Sequence, residues 1–372
     1  GRPFSKRDGP FGEIDEGHCK AARRGEGSMP PKNSHVTFQD IADYTHFSKT
    51  TISRYFNAPQ TLTPASRQRI EEALEALHYR GGSKVGRMLA NGQTELIGIL
   101  TPQFFFPFYS HLINDILDTF RDNHYKFIVF TCNGDEAVEQ RAIAELTAYR
   151  VEGLLVLSHT LPSRKLADLK LPVVTIEREN EYTCSVDSNN YSGAVSAAEK
   201  LLADGCEVLV HINSTEHPQA PGMKRIQGFQ DTCRQHGVLA RLFLHEYPQD
   251  FALTRARVEE VLAQVEAEFP DKKVGFFVSN DTFAQLLVNR LVREGRQIPA
   301  EFEVIGFDDS PVAQQTVVPV TAVRQNIRMM ASTAMHLLER QIAAYRCGKD
   351  ATPLQHAVIE PALIIRESTL PS

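Results

Sequence analysis

Apolar residues at helical spacing mark the region between about residues 36 and 77. In its first run, Ile41 and Ala42 form an apolar face. Thr37 stands three residues before Asp40, which is the spacing of a capping box that satisfies the free amides at a helix start. These positions predict a first helix that begins just after Thr37.

Two further helices follow from the same reasoning. Ser48 can cap the second helix, in which Ile52 and Phe56 lie one turn apart and point inward. Thr63 and Pro64 are the residue types preferred at the N-cap and the first position of a third helix. The buried stripe of that helix comprises Ile70, Ala73, Leu74 and Leu77. Together the three segments predict a small, all-α helix-turn-helix unit.

Beyond residue 95 the pattern changes to short apolar runs that alternate with helical stretches. The runs are LIGILTP, FIVFTC, GLLVLSH, VVTIE, VLVHINS, VGFFVSN and VIGFDD. Such alternation is typical of parallel sheets built from strand-helix-strand units. Because about 270 residues of this kind exceed one hydrophobic core, we predict an α/β core of two parallel-sheet subdomains, with a ligand cleft between the carboxyl ends of their strands.

The polar side of the second helix has the residue types that contact DNA. Lys49, Thr50 and Arg54 lie opposite Ile52, where the major groove would lie if this helix contacted base edges. The predicted DNA contacts of this unit are Thr37, Ser48, Lys49, Thr50, Thr51, Ser53, Arg54 and Asn57. A small helical bundle without DNA-binding activity is the alternative for this segment taken alone.

The distribution of charge supports DNA binding by the helical segment. The whole chain has a formal charge of −6. Residues 29–90, however, carry 8 Lys and Arg against 5 Asp and Glu, whereas residues 91–372 carry 26 against 36. Because an acidic body repels phosphate, we expect the basic segment alone to hold DNA, in a salt-dependent manner.

The remaining composition favours a cytoplasmic globular protein. Of its 372 residues 42% are hydrophobic, but no apolar run approaches the roughly 20 residues that span a bilayer. The first residues lack the apolar segment of a signal peptide. The 6 cysteines form no Cys-x-x-Cys pair, which argues against a disulfide framework or a zinc site. Residues 1–34 are predicted to be a disordered extension, with Met29 as an alternative start.

No catalytic motif accompanies this organisation. The sequence has no G-x-S-x-G elbow, no G-x-x-x-x-G-K-[ST] loop, no G-x-G-x-x-G after a strand and no H-E-x-x-H. Its 13 histidines show no metal-ligand spacing. We therefore predict no enzymatic activity, no cofactor and no metal. A periplasmic-type sugar-binding protein is the alternative, although the helical segment and the absence of a signal peptide argue against it.

The order of these motifs resembles the LacI/GalR family of bacterial transcription regulators. The resemblance runs from about Val36 to Thr369 and rests on VTFQDIADYTHFSKTTISR, TPASRQRIEEALEALHY, RMLANGQTELIGIL, VEGLLVLS, VIGFDDSPVAQQTVVPVTAVRQN and ALIIREST. It implies a helix-turn-helix domain (35–80), a hinge or linker (81–94) and a periplasmic-binding-protein-like core (95–369) that binds ligand and dimerises. The implied N-subdomain comprises about 95–189 and 325–353, and the C-subdomain about 190–324 and 354–369.

The linker departs from the family pattern. Family members usually have a Pro-Asn pair and then a hinge helix that ends in Leu, whereas residues 79–90 read YRGGSKVGRMLA. The resemblance implies that Leu89 is a wedge in the minor groove and that Arg87 contacts the DNA backbone. Each of the three glycines weakens a hinge helix by up to about 1 kcal/mol relative to alanine. We expect the hinge to fold only on DNA; a plain flexible linker is the alternative.

The resemblance also implies an effector site in the cleft. The implied effector-binding residues are Phe108, Tyr109, Glu177, Arg225, Asp281 and Gln325, with Asn280 and Asp308 as further candidates. Phe108 and Tyr109 would stack on a ring-shaped ligand. Arg225 would clamp ligand oxygens, and Asp281 would accept sugar hydroxyls. The alternatives are core packing for the aromatic pair, a surface salt bridge for Arg225 and a helix N-cap for Asp281.

Together these features predict a sequence-specific DNA-binding repressor of a carbohydrate-utilisation operon. It would bind palindromic operator DNA as a homodimer, and a sugar or sugar phosphate would change the angle between its subdomains. The segments LSHT, TIEREN, CSVDSNNYSGA and APGMKRIQGF are most similar to those of sucrose-operon regulators, which favours sucrose or a fructose derivative. A regulator controlled by a protein corepressor is the alternative.

Overall fold

The chain divides into two compact units, Gly1–Arg87 and Met88–Ser372, which we call the headpiece and the core. The computed structural model describes residues 36–57, 61–77, 79, 94–119, 125–178, 180–215, 222–247, 250–348 and 353–371. The predicted extension and the linker residues Arg87 and Leu89 lie outside these ranges. The roles of both segments therefore stay predictions.

The headpiece contains the three helices that the sequence predicts. They are α1 (Phe38–Thr45), α2 (Lys49–Asn57) and α3 (Pro64–Ala76). The capping box is confirmed, because the Thr37 N–H donates to Asp40 Oδ2 at 2.7 Å and the Asp40 N–H donates to Thr37 Oγ1 at 3.4 Å. Ser48 Oγ accepts from the Thr51 N–H at 3.1 Å. Thr63 caps α3 in the same way.

The apolar stripes of the three helices meet in one small core. Ile41, Ile52 and Ile70 are completely buried in it. Phe38 stacks on Phe56 with ring centroids 5.1 Å apart. Because α2 is held through its Ile52 and Phe56 side, its opposite side is left to solvent.

The first sheet of the core is parallel throughout. Its strands are β1 (Leu96–Thr101), β2 (Lys126–Thr131), β3 (Gly153–Val156), β4 (Val173–Ile176), β5 (Cys184–Ser188) and β11 (His356–Ile359), in the order β11-β5-β4-β3-β1-β2. One face packs on α4 (Pro107–Asp118) and α12 (Ile327–Arg346). The other packs on α5 (Glu136–Ala148) and α6 (Ser163–Ala167).

The second sheet repeats this plan with one reversed strand. Its strands are β6 (Val208–Ser214), β7 (Leu239–His245), β8 (Val274–Val278), β9 (Phe302–Asp308), β10 (Thr321–Arg324) and β12 (Ala362–Ile364), in the order β12-β10-β9-β8-β6-β7, with β12 antiparallel to β10. One face packs on α7 (Asn190–Ala203) and α8 (Met223–His236). The other packs on α9 (Phe251–Glu268), α10 (Asp281–Arg293) and α11 (Pro311–Gln315).

The chain passes between the two sheets after β5, after β10 and after β11. The last passage lies later in the chain than the predicted start of the final C-subdomain segment at residue 354. Strand β11 pairs in parallel with β5, with His356 opposite Ser185. The chain therefore remains in the first sheet as far as Ile359. The final segment of the C-subdomain therefore begins at Glu360 rather than at residue 354. The strand has only four residues and Val358 is 56% exposed, so it is a short edge strand that is less buried than the other strands of this sheet.

Helices α7 and α8 approach each other closely at Gly228. A Cβ at this position would lie 2.5 Å from the carbonyl oxygen of Tyr191, so a larger residue would push the two helices apart. The close packing brings Arg225, on the first turn of α8, against Asn190 at the start of α7.

Within the described ranges, no helix is both long enough and apolar enough to cross a membrane. The same ranges contain no group of three or more His, Cys, Asp or Glu side chains arranged to hold a metal ion.

Candidate DNA-contacting face and cleft pocket

The exposed side of α2 carries the side chains predicted to contact bases. Lys49, Thr50 and Arg54 are exposed, whereas Thr51 and Ser53 are half-buried. Because Ile52 anchors the other side in the core of the headpiece, these three side chains are free to enter a groove without disturbing the fold.

Two of the predicted DNA contacts have a structural role as well. The hydroxyls of Thr37 and Ser48 accept the capping hydrogen bonds of α1 and α2. Asn57 is the last residue of α2. The caps satisfy amides at the first turn of each helix, and an N-terminal position on a helix is also suited to a phosphate oxygen.

A polar pocket lies where the carboxyl ends of both core sheets meet. It has a volume of about 80 Å³, and its lining residues are Phe106, Phe108, Tyr109, His159, Glu177, Ser214, Gly222, Arg225, Ser279, Asn280 and Asp308. We call it the cleft pocket. Both subdomains contribute, because His159 and Glu177 follow β3 and β4, whereas Ser214 and Asp308 end β6 and β9. This is the position where ligands of open α/β sheets bind.

Aromatic rings form the apolar wall of the cleft pocket. Phe108 is buried in the core of the first subdomain, and Tyr109 packs beside it with ring centroids 5.4 Å apart. The Tyr109 hydroxyl lies 3.3 Å from His159 Nε2. Phe106 meets Phe283 of α10 edge to face. Both rings line the cleft pocket, and Phe108 also packs in the core as the alternative expects. Stacking of a ligand on them stays a prediction.

Arg225 is the central cation of the pocket, and the surface salt bridge considered for it is excluded. Its side chain is 12% exposed. Its Nε donates to Asn190 Oδ1 at 2.6 Å and its Nη1 donates to the Ser279 carbonyl oxygen at 2.7 Å. The guanidinium carbon lies 3.6 Å from the centroid of the Phe307 ring. Its Nη2 lies 3.9 Å from Glu177 Oε2.

Glu177 connects the pocket to the first passage between the sheets. It follows β4 with a φ of 53°, a left-handed conformation that is uncommon for residues other than glycine. Its Oε2 accepts from Asn190 Nδ2 at 3.0 Å, and its Oε1 accepts from the Ser188 N–H. A ligand that binds Glu177 or Arg225 therefore contacts groups that hold this passage in place.

Asp308 forms the floor of the pocket at the end of β9. Its φ is 100°, and its Oδ1 accepts from Gln325 Nε2 at 2.7 Å. Burial raises the pKa of Asp308 to about 7, although the neighbouring Arg225 guanidinium acts in the opposite direction. A carboxyl group with this pKa can accept or donate a hydrogen bond near neutral pH.

Asp281 and Gln325 lie behind Asp308 and do not line the cleft pocket. Asp281 is 1% exposed, and its Oδ2 accepts from the Ser310 N–H at 2.6 Å. Burial, and then the Asp308 carboxyl group, raise the pKa of Asp281 well above its usual value. The N-cap of α10 is Asn280, which does line the pocket. The ligand contacts predicted for Asp281 and Gln325 stay predictions that this geometry does not support.

Sequence reasoning missed several lining residues, although a signal was present for some of them. The missed residues are Phe106, His159, Ser214, Gly222 and Ser279. Ser214 ends β6 and Ser279 directly follows β8. A polar residue at the carboxyl end of an apolar parallel strand is thus the pattern that would have found both.

A buried ion pair supports the loop that carries His159. Arg178 is 1% exposed and donates to the carbonyl oxygens of Ser158 and Leu161. Glu139, which is completely buried, accepts from Ser158 Oγ at 2.6 Å and from the Leu161 N–H at 3.3 Å. Arg178 Nη1 lies 3.8 Å from Glu139 Oε1. Both ends of the loop are therefore fixed by charged hydrogen bonds.

Two sequence families match separate parts of the chain. Residues 37–81 match the family described as bacterial regulatory proteins, lacI family. Residues 198–369 match the periplasmic binding protein-like domain. The first match covers the helices of the headpiece and the second covers all strands of the second sheet.

Relatives match over most of the chain. The ribose operon repressor of Halalkalibacterium halodurans is 27% identical over 340 residues, which cover 90% of this chain and 97% of that protein. The sucrose operon repressor of Lactococcus lactis subsp. lactis is 25% identical over 308 residues, which cover 82% and 93%. The structure of the Lac repressor dimer bound to operator and an anti-inducer has a TM-score of 0.75 at 19% identity and covers 91% of this chain and 100% of that chain. The structural likeness shows a shared fold.

A helix-turn-helix headpiece joined to a two-sheet core with a polar cleft defines a DNA-binding transcriptional regulator, and the matched repressors are of this class rather than enzymes. Residues 37–81 form a DNA-binding domain of the lacI family, residues 198–369 form a periplasmic binding protein-like domain, and the relatives that match most of the chain include operon repressors. The predicted family, fold class and non-enzymatic function are thereby confirmed.

Proposed function

We propose that this regulator is a cytoplasmic repressor of a carbohydrate-utilisation operon, with a sugar or sugar phosphate as its effector. The observation that carries the proposal is the cleft pocket, which combines aromatic rings with hydrogen-bonding groups at the carboxyl ends of both sheets. Repression through a homodimer on palindromic operator DNA is supported by the lacI-type headpiece and by the likeness to a repressor dimer bound to operator.

The chemistry of the pocket suits a polyhydroxylated ring. Phe108 and Tyr109 offer apolar ring surfaces, whereas Arg225 donates and Glu177 accepts hydrogen bonds. A sugar has the same division between apolar C–H faces and hydroxyl edges. In ligand pockets, convergent polar groups of this kind fix the orientation of the ligand.

Coupling to DNA follows from the position of the pocket between the sheets. Glu177 and Arg225 both bond to Asn190, which starts α7 directly after the first passage between the sheets. A ligand that draws these side chains toward itself changes how this passage is held and favours one angle between the subdomains. Such a differential interaction is the requirement for coupling between two sites.

The identity of the sugar is a separate proposal. The sequence segments similar to sucrose-operon regulators favour sucrose or a fructose derivative. Two matched relatives are named as a ribose and a sucrose operon repressor. The screen should therefore include both sugars.

The proposal is tested with the purified full-length chain. Operator sequences are first selected from randomised duplex DNA, and sugars and sugar phosphates are then screened by thermal shift. A ligand at 100 times its dissociation constant should stabilise the protein by about 2.7 kcal/mol. We expect one such compound to change operator affinity as well. If no sugar or sugar phosphate stabilises the protein, the proposed effector class is wrong.

The exposed side chains at the start of α2 are expected to determine base preference. Lys49→Ala and Thr50→Ala should each change base preference by about 1–3 kcal/mol at one base pair per half-site, because both side chains are exposed at the start of α2. Binding-site selection with each variant measures this preference.

The control for this experiment is Gln68→Ala on the exposed side of α3. It should leave both the selected sequence and the melting temperature unchanged. An unaltered preference in both α2 variants would remove Lys49 and Thr50 from base recognition.

A further inference from the structure

Two residues at the amino edge of the first sheet hold the start of the core. Thr94 is the first described residue of the core, and it is 6% exposed. Its Oγ1 donates to the Arg150 carbonyl oxygen at 2.6 Å. Glu95 has a φ of 52°, a left-handed conformation that a residue other than glycine keeps only where surrounding contacts determine it. We call Thr94 and Glu95 the linker anchor.

Glu152, in the turn before β3, provides one of the contacts that determine the conformation of the linker anchor. Its Oε1 accepts from the Glu95 N–H at 3.0 Å, and its own N–H donates to the Leu96 carbonyl oxygen at 2.8 Å. Lys126 contributes from β2, because its Nζ pairs with Glu95 Oε2 at 2.8 Å and its N–H donates to the Glu95 carbonyl oxygen at 2.8 Å. The anchor is therefore bonded to the amino ends of both neighbouring strands.

The carboxyl group of Glu152 also reaches α12. Arg346, in the last turn of that helix, donates to Glu152 Oε2. The Glu152 side chain is only 10% exposed, so solvent screens this ion pair less than a pair on the open surface. A cation near the C-terminus of a helix is also favoured by the helix dipole. The two oxygens of one carboxylate thus join the end of α12 to the linker anchor.

The other end of α12 lies at the effector cleft. Its N-cap is Asn326, whose Oδ1 accepts from the Met329 N–H at 3.1 Å. The preceding residue, Gln325, donates to Asp308 Oδ1 at 2.7 Å, and Asp308 lines the cleft pocket. A helix of 20 residues spans about 30 Å. Helix α12 is therefore a continuous element that runs from the passage after β10 to the linker anchor.

We propose that Glu152 and Arg346 are the positioning residues through which the cleft pocket controls the linker and thereby operator binding. The inference rests on the proposed function and deepens it by naming the route of its regulation. A ligand that displaces Asp308 or the passage after β10 shifts the start of α12. Because packed helices shift as units, by about 1–2 Å, the shift arrives at Arg346. The ion pair passes it to Glu152 and to the Glu95 amide, where the linker joins the core.

The test compares effector binding with its effect on operator binding in the full-length protein. The probes are sucrose, fructose, ribose, sucrose 6-phosphate, fructose 6-phosphate and ribose 5-phosphate. In the wild type one probe should change operator affinity by about 5- to 150-fold. Arg346→Met should bind that probe with wild-type affinity in calorimetry, because Arg346 lies at the end of α12 opposite the pocket. The change in operator affinity should be about 3- to 30-fold smaller in this variant.

The outcomes separate the inference from the proposed function. An undiminished change in operator affinity in Arg346→Met overturns the inference and leaves the proposed function standing. If no probe changes the operator affinity of the wild type, both fall. Arg346→Lys keeps a cation and a donor for Glu152 and should recover most of the response. Urea unfolding verifies that each variant is folded.

Two further variants distinguish this role from a merely structural one. Glu152→Gln keeps an acceptor for the Glu95 N–H but loses the charge that pairs with Arg346, so its response should fall as in Arg346→Met. The double variant Glu152→Gln/Arg346→Met should lose no more of the response than either single variant, because both residues act in one route. Losses that add in the double variant would show that the two residues act separately, against the inference.

The control is Arg340→Met, which removes an exposed arginine from the same helix. Arg340 donates to Gln355 Oε1 at 3.3 Å rather than to the turn that holds the linker anchor. This variant should respond to the probe as the wild type does. A response that falls equally in Arg340→Met would assign the loss to α12 in general and overturn the specific role of the Glu152–Arg346 pair.

Discussion

Replacing Arg225 with alanine is expected to abolish effector binding while operator binding persists. The substitution removes charged hydrogen bonds worth about 1.5–3 kcal/mol each. Loss of two of them should weaken binding at least about 100-fold. It also leaves Glu177 and Asn190 without the guanidinium that holds them. Calorimetry with the sugar found in the screen measures the loss. Operator binding should persist without effector, because the headpiece is untouched.

Two further variants make this result specific to the side chain. Arg234→Ala lies on the same helix but is exposed and paired with Asp231 at 3.0 Å, so it should bind effector normally. Arg225→Lys retains the charge but loses the planar fork and should have an intermediate affinity. Effector binding at wild-type strength in Arg225→Ala would place the binding site elsewhere in the core.

Removing Arg178 is expected to have the largest effect on the free energy of unfolding of the core. Arg178→Met leaves the completely buried Glu139 without its cationic partner, a change that costs about 3–5 kcal/mol. The carbonyl oxygens of Ser158 and Leu161 also lose their donor. Urea unfolding measures the loss in the free energy of unfolding. Loss of this donor should also weaken effector binding, because His159 in this loop lines the cleft pocket. Calorimetry measures that affinity.

The double variant Arg178→Met/Glu139→Leu separates stability from positioning. It removes both buried charges and should recover most of the lost free energy of unfolding, as replacement of buried ion pairs by apolar residues often does. Effector affinity should stay low, because the hydrogen bonds that Arg178 and Glu139 make with Ser158 and Leu161 are lost. Arg164→Met, an exposed change on α6, is the control. Wild-type stability of Arg178→Met would show that Glu139 does not need this partner.

The headpiece could be predicted from the sequence because its signals are local. Thr37, Ser48 and Thr63 each cap the helix that follows them within three residues. The apolar positions recur within single helices, so neither caps nor core required knowledge of distant residues. For the same reason the strands of the core could be recognised individually.

Pairing between distant segments could not be predicted in the same way. Strand β11 is only His356–Ile359 and is defined by its parallel partner β5, far away in the sequence. Asp281 has the residue type of a ligand contact, but Asp308 is the carboxyl group that lines the pocket. This outcome depends on the φ of 100° at Asp308 and on the hydrogen bond from the Ser310 N–H to Asp281. Backbone conformation and tertiary partners of this kind leave no pattern along the chain.

The late position of β11 bears on how the protein is made. Strand β5 ends at Ser188, but the strand that covers its edge ends only at Ile359. At typical translation rates of about 5–20 residues per second, roughly 10–30 s pass between the synthesis of β5 and that of β11. During this time the edge of β5 is uncovered. An unpaired strand edge is a site of association between chains. The first sheet can therefore be completed only after the whole second sheet except β12 has been synthesised.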